Sequence, residues 1–328
     1  MAKRVEVWTD RIEKLFDIDE QSAGMRLDRF LHERIPGISR HELIEWIQAG
    51  KVTHNKKRAR KGVIVKAGDR ISLMLPCPVD TPFVVPDHDM PLEILFEDQH
   101  LVAVNKPPGI PTHPLRTGET GTVANALVHR YPEMQTVGFS TREPGLVHRL
   151  DRDTSGVLLA ARQQSSFEAL RLQFQQREIV KVYTALVHGH PDEEGEIDLP
   201  IGAGGRRNDK VVVVVEPRKR IRGLFQASTR YRCVRYFKGC SLIHVWISSA
   251  TRHQIRAHMA FLGHPVLGDT LYGGADEIER KGMQVPRQML HAAEIRFHHP
   301  VSGELMEIRC PLPQDFQSVL DRVSSGEE

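Results

Sequence analysis

The stretch HRLDRDTSG, residues 148–156, sets two carboxylates, two arginines, a histidine, two hydroxyls and a glycine within nine positions. It lies between GLVHRL (145–150) and GVLLAA (156–161), apolar runs that read as buried strands. An acidic turn between buried strands is either a cation loop, a phosphoryl-transfer nucleophile, a single working carboxylate, or a plain turn. The fold and the chemistry of the chain follow from that choice.

A calcium loop fails on ligand count. Asp151, Asp153, Ser155 and Gly156 occupy positions 1, 3, 5 and 6 of such a loop. Position 12, where a bidentate carboxylate belongs, is Arg162, and VLLAA between them is apolar. A D-x-D-x-[TV] phosphoryl-transfer loop fits Asp151 and Asp153 but meets Ser155 where Thr or Val is required. No later pair of acids follows a strand to hold the magnesium such chemistry needs. Two readings stay open on spacing alone. Either Asp151 is one catalytic carboxylate kept ionised by nearby arginines, or the aspartates cap backbone amides in a tight turn.

The totals bound the rest. A chain of 328 residues holds two domains, or one large domain with an appendage. Its 40% hydrophobic and 27% charged content is that of a soluble globular protein, and the net charge of +3 makes distribution matter more than sum. Cys77, Cys233, Cys240 and Cys310 show no C-x-x-C spacing, which disfavours a disulfide framework or structural zinc and points to the cytoplasm. No run approaches the roughly 18 apolar residues of a membrane span, and the N-terminus lacks the apolar core of a signal peptide. There is no Walker loop and no G-x-G-x-x-G after a strand, so no nucleotide cofactor is expected, and no metal.

Along the chain, residues 1–23 read as an N-terminal extension. Residues 24–75 separate as a small α/β unit. Leu27, Phe30 and Leu31 recur at helical spacing, as do Leu43, Trp46 and Ile47 after an N-cap at Ser39 with Glu42 three residues on. KVTHN and DRISLML are strand-like and flank the basic run Lys56, Lys57, Arg58, Arg60, Lys61. Residues 76–90 are proline-rich and read as a linker. Residues 91–318 form a long α+β domain whose strands do not alternate regularly with helices, so a mixed or antiparallel sheet is expected. Its helices are SSFEALRLQFQQRE, with a Ser165–Glu168 capping box and Phe167, Leu170 and Phe174 on one face, and TRHQIRAHMAFLG, with Ile255, Met259 and Leu262 inward and Gly263 as its stop. Residues 319–328 read as a polar tail.

VHRLDRDTSGVLLAAR resembles the signature of the RluA/RluD family of RNA pseudouridine synthases, whose invariant aspartate lies in H-R-L-D. The likeness continues in order: LVAVNKPPGIPTHP upstream, then KVYTALVHG, HQIRAHMAFLGHPVLGDTLYG and RQMLHAAEIRFHHPVSGE downstream, covering about residues 91–313. Residues 24–75 resemble the small S4-like RNA-binding domain that many members carry in front. One departure stands out: the family usually reads G-R-T-H-Q-I-R, and this chain has Ala250-Thr251-Arg252 before HQIR.

The resemblance implies a cofactor-free isomerase acting on structured RNA, with ribosomal RNA favoured over transfer RNA and no protein partner. It implies that Asp151 works at the ribose of an extruded uridine, as nucleophile, charge stabiliser or base. It gives Asp151 a partner in Arg256, a stacking role to Tyr183, and RNA contact to Arg149 within its motif, with His148 beside it; Lys106 of NKPPG would touch a loop or a phosphate. Lys51, Lys56, Lys57, Arg58, Arg60 and Lys61, with Lys66, are opposed in their stretch only by Asp69. Joined to an RNA-modifying domain they read as a phosphate-tracking patch; in isolation they are a solvated face. Arg206, Arg207, Arg218, Lys219, Arg220 and Arg222 flank a valine run and suggest a second RNA-touching hairpin. Two other classes compete: a ribosome-assembly factor of the same fold without turnover, and a glycosidase, which would need a second acid such as Asp153.

Overall fold

Seven consecutive buried positions, Ser155–Ala161, mark a strand with protein on both faces. That strand lies inside the larger of the chain's sheets. The computed structural model describes residues 11–35, 40–76, 84–204, 210–215, 222–248, 251–273 and 285–326.

The N-terminal unit contains β1 (Arg11–Asp17), α1 (Leu27–Arg34), α2 (Arg40–Gln48), β2 (Val52–His54), β3 (Lys57–Arg58) and β4 (Arg70–Pro76). Its four strands pair in the order β1-β4-β2-β3. Leu27, Phe30 and Leu31 of α1 and Leu43 and Ile47 of α2 bury against Val52, Ile71 and Leu73. The expected extension over 1–23 is corrected: Arg11–Asp17 pairs antiparallel with Arg70–Pro76, so the unit reaches back at least to Arg11. Phe16 packs against the core of the unit while its neighbour Leu15 is exposed, as the two faces of a half-buried strand require. Ser39 lies outside the described residues, as does the side chain of Glu42.

The C-terminal unit continues with β5 (Glu93–Glu97), β6 (Leu101–Lys106), α3 (Val123–Arg130), β7 (Ser155–Ala161), α4 (Gln164–Gln176), β8 (Val180–His188), β9 (Glu194–Asp198) and β10 (Ile201–Gly204). It ends with β11 (Lys210–Val213), β12 (Arg222–Phe225), β13 (Ser228–Phe237), β14 (Cys240–Ile247), α5 (Gln254–Phe261), β15 (Leu290–His298), β16 (Leu305–Arg309) and α6 (Gln314–Ser325). Nine strands form one sheet in the order β5-β6-β7-β15-β8-β14-β13-β9, with β16 on β15. β15 runs parallel to β7, and the other pairings are antiparallel. The expected mixed sheet is therefore observed.

Several local expectations are corrected. GLVHRL is not a strand: Leu146 makes only an isolated bridge to Ala160. The His148 side chain, through Nε2, accepts the Leu159 amide at 2.9 Å where a neighbouring strand would offer a carbonyl. The Ser165–Glu168 box does not form, because α4 starts two residues earlier, with Gln163 at the N-cap position. Leu262 is exposed rather than inward, whereas Gly263 adopts φ +84° and ends α5 as expected. The polar tail is largely α6, which buries Phe316, Val319 and Val323 against Leu186, Leu267 and Met289. Of the linker, 77–83 lie outside the described residues, but Val84 is fully buried and Asn125 Nδ2 donates to the Val85 carbonyl at 2.7 Å. Arg206, Arg207, Arg218, Lys219 and Arg220 also lie outside the described residues. Arg222 opens β12, which joins β10 and β11 in a three-stranded sheet.

The glycine of the opening motif has a steric cause. Gly156 sits at φ +116°, and a Cβ there would stand 2.2 Å from the Ala292 carbonyl oxygen of β15. The parallel register pairs these two residues. Gly156→Ala must therefore part β7 from β15 or strain the backbone, and should cost about 3 kcal/mol or more. Urea unfolding of the variant measures this; a loss below about 1 kcal/mol would refute the close approach.

Candidate active site

The turn between His148 and Ser155 is held from three directions. Thr112 Oγ1 donates to the Leu150 carbonyl at 2.7 Å and accepts its amide at 3.2 Å. Lys106, at the end of β6 and fully buried, donates from Nζ to the carbonyls of Pro107, Arg152 and Thr154 at 2.8, 2.8 and 3.0 Å. Burial pulls this amine down to about 7 against the charges of Asp153 and Asp151, yet three carbonyl acceptors match the three N–H groups of a retained ammonium. From the third side, Arg287 donates to the Asp153 carbonyl at 3.0 Å and to Ser155 Oγ at 3.2 Å, while gripping Asp315 of α6 in a bidentate pair.

So fixed, the turn presents Asp151 to a cleft of about 210 Å3 lined by Arg149, Tyr183, Arg252, His253 and Arg256, with Ile247 and Leu290 as apolar wall. Asp151 Oδ2 accepts from Arg256 Nη1 at 2.8 Å. Arg256 rises from α5 and is itself buried. Its Nε and Nη2 donate to Asp269 at 2.6 and 2.9 Å, and its guanidinium stands 5.2 Å from the Tyr272 ring centre. Burial opposes the charge on Arg256, but Asp269 and then Asp151 outweigh it and hold the group above its ordinary range. The cation is thus shared between a fully buried carboxylate behind and a partly exposed one in front.

Tyr183 lies on β8, paired with Val245 and Ala292, and forms part of the cleft wall. Burial raises its phenol above the ordinary range, and the Asp151 charge adds to the shift, so it stays protonated at neutral pH. His253 precedes α5 at φ +56°, its Nε2 3.7 Å from Asp151 Oδ2 and its Nδ1 3.1 Å from the Tyr272 hydroxyl. Burial lowers His253 to about 4, leaving it neutral. Among the described residues lining the cleft, Asp151 is the sole carboxylate. Asp153 is exposed and outside that lining, so the second acid of a glycosidase is missing there.

Of the expected site residues, Asp151, Tyr183, Arg256 and Arg149 meet in the cleft. Lys106 does not reach it: the expected substrate contact is corrected to a buried clamp on the turn, because its three acceptors are all backbone carbonyls. His148 also turns away, toward Leu159 and the ring of Phe174 5.4 Å off. In the N-terminal unit, Lys56, Lys57, Arg58, Arg60 and Lys61 are placed on and beside the β2–β3 hairpin, all five exposed, while Ala59 between them is buried. Asn55 and Lys56 take positive φ at its tip. Lys51 is half-buried, 5.7 Å over the Trp46 ring. Sequence reasoning missed Asp269, His253, Thr112 and Arg287. For Asp269 the signal was an acid between Gly268 and Thr270 within HPVLGDTLYG.

Residues 100–261 match the family model described as RNA pseudouridylate synthase, and residues 25–71 match the S4 domain. A relative from Zymomonas mobilis, "Ribosomal large subunit pseudouridine synthase D", is 36% identical over 92% of this chain and 94% of its own length. The chain belongs to the RNA pseudouridine synthase family. It is an isomerase acting on RNA. A relative of the same name from Escherichia coli O157:H7 is 32% identical over 95% of this chain and 94% of that one. An uncharacterised RNA pseudouridine synthase from Bacillus subtilis is 31% identical over 93% and 96%. Among solved structures, human RNA pseudouridylate synthase domain containing 1 superposes with a TM-score of 0.54 at 26% identity, over 70% of this chain and 86% of that one. The synthase's departure from the G-R-T-H-Q-I-R pattern falls at the site itself. Thr251 and Arg252 both line the Asp151 cleft, while Ala250 lies outside the described residues.

Lys181 of β8 is buried with no hydrogen-bond partner for its Nζ among the described residues, 5.4 Å over the Phe174 ring. Burial lowers it to about 7. Between that value and the unfolded value near 10.4, the unfolded chain holds a proton that the folded chain lacks, so stability rises with pH across this window. Lys181→Met removes the penalty. The variant's advantage should be greatest below pH 7 and shrink by about 2–3 kcal/mol between about pH 7 and 9, measured by urea unfolding at each pH. Parallel pH curves for the two proteins would contradict it.

Proposed function

We propose that this synthase isomerises uridines of large-subunit ribosomal RNA in the cytoplasm, with Asp151 as the catalytic carboxylate. The observation that carries the reading is the 2.8 Å contact between Asp151 Oδ2 and Arg256 Nη1 inside a cleft walled by Tyr183. Isomerisation breaks the bond from uracil N1 to ribose C1′, turns the base, and joins C5 to C1′. The hydrogen leaves C5 and N1 gains one, so the balance closes without any other reactant. Breaking the glycosidic bond builds positive charge on the sugar, and a carboxylate beside C1′ attacks it, stabilises it, or takes a sugar proton. Arg256 pairs with Asp151 and aims it; Asp269 positions Arg256.

Tyr183, protonated and set in the wall, offers its ring to the uracil. Arg149, exposed at the cleft, meets the strand from which the uridine has swung out. The cations of the β2–β3 hairpin supply grip on phosphates without reading sequence. Relatives named for the ribosomal large subunit favour that RNA over transfer RNA.

Asp151→Asn should cut uridine conversion in large-subunit RNA by about a thousandfold or more while RNA affinity stays near wild type. Retained turnover would remove Asp151 as the catalyst. Alanine at Lys56, Lys57, Arg58, Arg60 and Lys61 together should weaken RNA binding. It should also flatten the slope of log affinity against log salt by about 0.7 for each phosphate left without its cation. Unchanged affinity at low salt would reduce the hairpin to a solvated face.

A further inference from the structure

The Asp151 cleft has a larger neighbour. A second cleft, of about 440 Å3, is lined in part by Phe139, His148, Arg149, Arg171, Phe174 and Arg177. Arg149 belongs to both clefts. His148 lines one and Asp151 the other, and three residues of chain span at most about 11 Å. The second cleft's volume falls within the range that encloses a small organic ligand.

Its chemistry differs from that of a structural crevice. Phe139 is 72% exposed, held edge-on to Phe167 at 5.0 Å between ring centres, and Phe174 offers a second aromatic surface. Three guanidinium groups stand around these rings. Arg171 is braced by a 3.1 Å bond to the Val147 carbonyl, and Arg177 takes φ +60° at the exposed end of α4. Among the described residues of the lining the one carboxylate, Glu143, is already 3.3 Å from Nε2 of His113. His113 is buried, and its Nδ1 and that of His148 have no hydrogen-bond partner among the described residues. Exposed aromatic faces interleaved with arginines are how proteins hold unpaired nucleotides.

We propose that the second cleft holds a nucleotide immediately next to the uridine being isomerised, on the same RNA strand. Its base rests against Phe139 and Phe174 and its phosphate lies between Arg149 and Arg177. The inference rests on the function proposed above. Extruding the uridine strips its neighbour of a stacking partner, and the second cleft replaces that partner with side chains. A free nucleotide would have no need of the arginine the two clefts share; a continuous strand passes over it. Stacking tolerates any base, so this cleft fixes the strand's position and leaves its sequence unread.

The test uses the whole protein and a short RNA hairpin from large-subunit RNA carrying a uridine that the wild type converts, with either neighbouring base replaced by an abasic ribose. Phe139→Leu combined with Arg177→Asn should raise KM about 5- to 100-fold and leave kcat within about twofold. Removing the base that occupies the second cleft should lower wild-type kcat/KM by a similar factor and cost the double variant nothing further. Should Phe139→Leu loosen its loop, Arg177→Asn alone, at an exposed helix end, should still raise KM at unchanged kcat through the lost phosphate contact. Equal kinetics for variant and wild type on every hairpin, or losses from variant and abasic site that multiply, would overturn the inference while the proposed function stands. A wild-type protein that converts no uridine overturns that function, and this inference with it.

Discussion

One buried cation organises the chemistry of this synthase. Arg256 stands between Asp269, which is wholly enclosed, and Asp151, which faces the cleft. In an environment poor in water a lone guanidinium would be costly, and either carboxylate alone more so; together they satisfy one another's donors and acceptors. Removing one member of such a set leaves an unpaired charge inside the protein, at about 3–5 kcal/mol. In the proposed reaction, stability and reactivity therefore share a single contact. The arrangement also orders three separate pieces of chain, since Asp151 precedes β7, Arg256 rides on α5, and Asp269 follows it in a loop.

The turn bearing Asp151 is rigid for reasons unrelated to its charge. Lys106 commits its ammonium to backbone carbonyls, Thr112 both gives to and takes from Leu150, and Arg287 ties the turn to α6 through Asp315. Gly156 lets the strand that follows lie against β15 with no side chain between. In the proposed reaction the carboxylate must meet one atom of a ribose and gains from this, because misplacement by about an ångström costs orders of magnitude in rate. The terminal helix thus contributes to the site from a distance, by fixing the arginine that fixes the turn.

Under the proposed function, the two units divide the labour of handling RNA. The hairpin of the N-terminal unit presents exposed cations, a form suited to phosphates and sensitive to salt. The C-terminal unit keeps the charges of its site paired and partly enclosed, where salt screens them little and geometry matters more than number. Aromatic surface follows the same division. Trp46 packs under a lysine in the first unit, whereas Tyr183 and Phe139 belong to clefts in the second.

Local sequence was enough to indicate the motif, the mixed sheet, most helices and three residues that the fold brings into one cleft, Asp151, Tyr183 and Arg256, because each is carried by short-range pattern or by a contiguous signature. It was also enough for the basic hairpin, whose charges lie within six residues of chain from Lys56 to Lys61. Tertiary structure alone decided what each polar side chain touches. Lys106 looked like a ligand contact and became a buried clamp, since its acceptors at Arg152 and Thr154 lie 46 and 48 residues further along the chain. His148 sits in the motif yet turns from the cleft, and Asp269, a single acid in a loop, became the anchor of the central arginine. Such pairings depend on which strands lie side by side, and sheet order is set by long-range burial that no local spacing encodes.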